Sequence, residues 1–254
     1  MLQHVLILCC FSLVAGFVDA AVGGGGLIQL PAALILLPGV PVPTILGTNK
    51  LASICGTSFA LQRYARTVKI DWQIVGPSAL VAFLFSFGGA RAINLLDPKL
   101  LRPLILFLLV GVAIYVLLAK NLGLVHKPKH TPDKARLLGM SVGAVLGFYD
   151  GFFGAGMGSF LIFAFVGLFG FDFLSASASA KAVNWATNLA SLIYFAATGQ
   201  ILFAVGLAMA ASNVCGSAIG THLAIAKGSR FVRIFFLVTV CGLIAKLTQT
   251  LLWP

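Results

Sequence analysis

Two aspartates and two lysines, Asp19, Lys50, Asp150 and Lys181, stand in stretches of this chain that are otherwise apolar enough to lie in lipid. A carboxylate near the centre of a bilayer is costly unless it pairs or faces water. A lysine too deep to snorkel to the interface carries the same requirement. Together these types can bind an anion on the lysines and move a proton on the carboxylates. Around Asp19 the sequence reads GFVDAAVGGGG, and around Asp150 it reads GFYDGFFGAGMG. Gly23, Gly24, Gly25 and Gly26, and then Gly154, Gly156 and Gly158, invite helix breaks where lipid cannot satisfy freed backbone groups. The N–H groups of half-helices starting there favour negative charge. Thr48 and Asn49 beside Lys50, and Asn184 and Asn188 after Lys181, add hydrogen-bonding groups. These residues are the candidate anion site, with Asp19 and Asp150 coupling proton movement or orienting the lysines.

The elements that must position them come in two sets. Superposing Gly16 on Gly147 sets an offset of 131 residues, at which Asp19/Asp150, Gly23/Gly154, Lys50/Lys181, Ser86/Ser217, Gly89/Gly220 and Arg102/Arg233 coincide without a gap. Matched Asp and Lys within membrane segments mark a true duplication. The predicted segments are about 2–22, 27–38, 44–64, 72–95 and 99–119, then 137–153, 159–171, 176–198, 201–225 and 230–252. The second segment of each half is too short for a core of about 30 Å at 1.5 Å per residue. The expected fold is therefore all-α and polytopic, with two inverted repeats of four to five transmembrane segments and short Gly-broken helices. The repeats cover 1–119 and 137–254, joined by a loop at 120–136 in which Pro128 and Pro132 are expected to block helix.

The loops carry the orientation. Arg63, Arg66 and Lys69 follow the third segment, whereas its counterpart around Gly199–Gln200 has no cation; Lys227, Arg230 and Arg233 follow the ninth. The positive-inside rule then places those cationic loops and the central loop in the cytoplasm, with both termini outside the inner membrane. The formal charge of +11 is explained by such loops and by anionic headgroups, so a nucleic-acid partner is not expected. The bilayer and a small anion are the expected partners, and a homo-oligomer is left open.

Bulk composition agrees. The 254 residues are 60% hydrophobic and 9% charged, against about 25% charged in a soluble domain. The first 22 residues lack a cationic start and hold one copy of the motif, so they read as a retained span rather than a signal peptide. Five cysteines without CxxC spacing read as packing thiols, with no metal or disulfide. Tyr64, Trp72 and Trp253 read as interface anchors, Trp185 as a core residue, and Arg91 and His222 as interfacial or packing residues. With no nucleophile–base pair, Walker loop or Rossmann motif, neither an enzyme nor a cofactor is indicated.

The motifs GFVDAAVGGGG, LGTNKL at 46–51, GFYDGFFGAGMGSF at 147–160 and SAKAVNWATN at 179–188, in that order, resemble the TauE/SafE family of membrane permeases, its YfcA-type members in particular. The resemblance implies a secondary transporter, usually of eight helices, exporting sulfite or organosulfonates by alternating access. Proton coupling is an added hypothesis motivated by the two acids. Two alternatives stay open: a channel-like or cation pathway using Asp19 and Asp150, and a membrane scaffold in which the charges are purely structural.

Overall fold

The computed structural model describes residues 2–95, 127 and 129–252, with the backbone alone at 2, 233 and 236–252. The segment expected at 99–119 and most of the central loop lie outside the described residues. Eight helices are labelled among the rest: α1 (Leu2–Val22), α2 (Gly26–Leu36), α3 (Val42–Thr67), α4 (Trp72–Ile93), α5 (Pro132–Phe152), α6 (Met157–Ala164, prolonged by a π-helical turn at Phe165–Phe169), α7 (Phe173–Ala197) and α8 (Phe203–Leu252). No strand occurs among the described residues, and the protein is all-α.

Local sequence sets the ends. Asp71 caps α4 by accepting from Gln73 N–H, and Asp172 caps α7 by accepting from Leu174 and Ser175 N–H, each satisfying a donor that a helix start leaves free. Gly228, at φ 67° and ψ −167°, splits α8 between the ninth and tenth expected segments. Pro132 opens α5 rather than blocking it, because a first-turn proline loses no hydrogen bond. Gln3–Val22, Trp72–Ile93 and Phe203–Val232 are long and apolar enough to cross a membrane. The 11-residue α2 spans only about 16 Å.

The halves pack reciprocally. Gly16 on α1 lies against the Asn213 carbonyl on α8, and its counterpart Gly147 on α5 lies against the Ala82 carbonyl on α4. Gly220 meets the Phe17 carbonyl, and Gly89 meets the Phe148 carbonyl. Each contact maps onto the other under the 131-residue offset, and small residues let the backbones approach closely.

Equivalent connections lie at opposite ends of the bundle. At one end Lys127 and Lys129 N–H donate to the Gly170 and Phe169 carbonyls, and Ser229 donates to Asp172 at 2.6 Å. Asp71, His130 and Phe171 line one cavity of about 140 Å³ at that same end. At the other end Asn94, after α4, bonds Gln200 and Tyr194.

Three expectations change. Tyr64 is no interface anchor: it is fully buried, and its hydroxyl donates to the Ala20 carbonyl at 2.9 Å. Cys10 and Cys215 are exposed and Cys9 and Cys55 half-buried, so these thiols are not core packers; their helix faces turn outward. Trp185 is half-buried and donates to Ser58 instead of filling the core. Trp72, Arg91 and His222 are exposed.

Candidate functional site

Both glycine stretches break their helices where the two halves meet. Gly23 and Gly154 each take φ +78°, and Gly156 takes +77°, a region that costs any other residue strain. Beyond the breaks, α2 and α6 start back toward the end from which α1 and α5 came. The breaks are tied across the halves by Ser159, whose N–H donates to the Gly23 carbonyl at 3.1 Å and whose hydroxyl donates to Val22 at 2.9 Å. Tyr149 braces the second break through the Ala155 carbonyl at 2.6 Å.

The four charged residues meet in crossed pairs. Lys181 of the second half donates to Asp19 Oδ2 of the first at 2.7 Å. Lys50 of the first half lies 2.8 Å from Asp150 Oδ2 of the second. The two ion pairs are of nearly equal length. Lys50 donates in addition to Asn188 Oδ1 at 3.0 Å, and Asn188 reaches Asn184 at 3.5 Å. A buried lysine and carboxylate are tolerable in pairs because each offsets the other's desolvation.

Between the pairs lies a cavity of about 20 Å³, lined by Asp19, Gly23, Gly26, Asn49, Lys50, Ser53, Asp150, Gly154, Met157, Gly158, Asn184 and Asn188. That volume holds about one water; Lys50 and Asp150 are buried beside it, whereas the Asp19 side chain keeps 19% exposure. Most candidates named from the sequence line it. Lys181 does not; it sits behind Asp19. Thr48 faces elsewhere, donating to Thr44 and accepting from Leu202 N–H. Gly25 and Gly156 pack against Asp19 Cβ and Leu27, and Gly24 lies in the turn, accepting from Leu27 N–H.

Ser53 and Met157 were missed. Ser53 was within reach, for it is the 131-residue counterpart of Asn184; Met157 carried no signal in its type. Among the described residues no group of His, Cys or Asp could hold a metal.

Apolar helices, two of them broken at matched glycines, meeting at a small, charged cavity, define a polytopic membrane protein built like a transporter. The chain belongs to the family described as sulfite exporter TauE/SafE, whose model matches residues 8–247. It is 35% identical over 247 residues to a Haemophilus influenzae "probable membrane transporter protein", covering 97% of this chain and 95% of that one. It is 34% identical over 234 residues to "probable membrane transporter protein ORF9" of Sinorhizobium sp, covering 92% and 88%. "Probable membrane transporter protein YfcA" of Escherichia coli K12 is 30% identical over 240 residues, covering 93% and 86%. No solved structure matches the chain. The protein is a membrane transporter and not an enzyme.

Proposed function

We propose that this transporter exports small sulfur-containing anions, sulfite or organosulfonates, across the cytoplasmic membrane by alternating access, with proton movement coupled to the anion. The carrying observation is the pair of crossed Lys–Asp contacts around a small cavity between broken helices. Each pair is neutral as it stands. An anion that takes the lysine releases the carboxylate, and a proton on that carboxylate keeps the buried site neutral, so anion and proton travel together. Asn49, Ser53 and Asn184 supply hydrogen bonds to the anion.

The packing supports two inverted repeats rocking about the site, an arrangement common among secondary transporters. Equivalent connections lie at opposite ends, and the end with Lys69, Lys127, Lys129 and Lys227 is assigned to the cytoplasm by its cations. Both termini are then outside. The family's description points to sulfite, and lysine in a semi-dry cavity suits any small oxyanion.

Purified protein in liposomes loaded with sulfite, sulfonates, sulfate or carboxylates, assayed at two pH values, tests the proposal. Sulfite or sulfonate efflux that changes with pH supports it. Absence of flux for every anion, or flux of cations instead, would sink it.

A further inference from the structure

The two lysines are treated alike by the duplication and each pairs with an aspartate of the other half, yet they differ in their second partner and in their access to the cavity. Lys50 lines the cavity; Lys181 does not and is 0% exposed. Lys181 gives its directed hydrogen bond to its own counter-charge, Asp19. Lys50 keeps its ion pair with Asp150 at 2.8 Å and donates as well to a neutral amide, Asn188, at 3.0 Å. The Lys50 ammonium also rests against the glycine break itself, since a Cβ on Gly154 would lie 2.8 Å from Nζ. A Cβ on Gly23, the equivalent residue, would meet the backbone of Gly158 and Ser159 first.

The cause lies one helical turn further on. Under the 131-residue offset, Asn188 corresponds to Thr57. Thr57 is 1% exposed, and its hydroxyl has no partner. A threonine is one atom shorter than asparagine, and Lys181 has no bond there to match the one Lys50 makes to Asn188.

We infer that Lys50 alone is the substrate-facing cation of this transporter, and that Asn188 is the positioning residue that holds its ammonium at the cavity beside Asp150. Lys181 with Asp19 is the fixed pair that fastens the two halves. The inference rests on the anion-transport reading above and assigns its charge to one lysine of the two.

Asn188→Thr gives Lys50 the surroundings of Lys181. It should weaken sulfite binding to purified protein about tenfold, the worth of one hydrogen bond to a charged group, and raise the KM for sulfite efflux more than it lowers kcat. Its mirror, Thr57→Asn, should shift sulfite affinity by less than about threefold, because Lys181 does not reach the cavity. Equal effects of the two variants, or wild-type affinity in Asn188→Thr, would overturn the inference.

A second readout needs no transported substrate. Cyanate, a small anion that carbamylates amines, should modify Lys50 at least about tenfold faster than Lys181 by peptide mass spectrometry, and Asn188→Thr should narrow that ratio. Faster or equal modification of Lys181 would overturn the assignment. A wild type that labels at Lys50 yet moves no sulfite would instead remove the functional reading and leave the lysine assignment standing.

Discussion

Gly23 and Gly158 touch backbone to backbone, and the Ser159 N–H that follows Gly158 donates to the Gly23 carbonyl at 3.1 Å. The two broken helices are thus fastened at the point where each reverses. Gly23 needs both its missing Cβ and its φ of +78°; Gly158 needs only the missing Cβ. Gly23→Ala should therefore cost about 2–5 kcal/mol, from left-handed strain plus overpacking. Gly158→Ala should lose only the packing part, about 1–3 kcal/mol. Thermal unfolding in detergent gives the order, and Gly158→Ala as the worse variant would contradict it.

The crossed ion pairs make a second prediction. Lys181→Met leaves Asp19 without its cation beside the cavity and should lower stability by about 3–5 kcal/mol, the usual cost of breaking a buried pair from one side. Lys181→Met combined with Asp19→Leu removes both charges and should recover most of that loss. A double-mutant cycle on melting temperature measures the coupling, and additive losses would mean that the contact contributes nothing.

The sequence told part of this in advance. Segment bounds were legible from hydropathy, as at the start of α4, but the residues that set them were not: Asp71, Asp172 and Gly228 went unnamed, and Pro132, read as a block, opens α5. The four charged residues were legible because lipid makes them conspicuous. Which lysine meets which aspartate was not, since crossed pairing depends on how α3 and α7 face the opposite half. Asn188 was named as a substrate ligand, but its hold on Lys50 required geometry. Tyr64 misled because its place near a helix end suggested an interface, while packing against α1 buries it.

Asp172 gives a pH dependence at the end of the bundle where it meets Ser229. Burial pushes its carboxyl up, but hydrogen bonds from the Ser175 and Ser229 hydroxyls and from the Ser175 and Leu174 N–H groups outweigh that and hold it below the ordinary aspartate value. A carboxylate depressed in the folded state stabilises fully above its unfolded value and loses that contribution as pH falls through the folded one. Asp172→Ala should cost about 1 kcal/mol at neutral pH as a lost N-cap. The gap in melting temperature between wild type and variant should shrink on acidification below the ordinary carboxylate range. A gap that is constant or widens in acid would show that the carboxylate is not what holds Ser229 beside the Gly228 break.

The orientation of the halves can be read from the two ends of the bundle. Lys69 and Lys227 are exposed at the end where Asp172 meets Ser229, whereas Leu95 and Thr198 are exposed beside the Asn94–Gln200 contact. Lys69 and Thr198 belong to connections nearly equivalent in the duplication, yet they lie at opposite ends. In a background with the native cysteines replaced by serine, Lys69→Cys and Lys227→Cys should react with a charged maleimide only after the cells are permeabilised. Leu95→Cys and Thr198→Cys should react in intact cells. Parallel halves would instead place Lys69 and Thr198 on the same side, and labelling of both under one condition would rule out inversion. Labelling with all four reversed would keep the inversion but move both termini inside, against the cation bias of the loops.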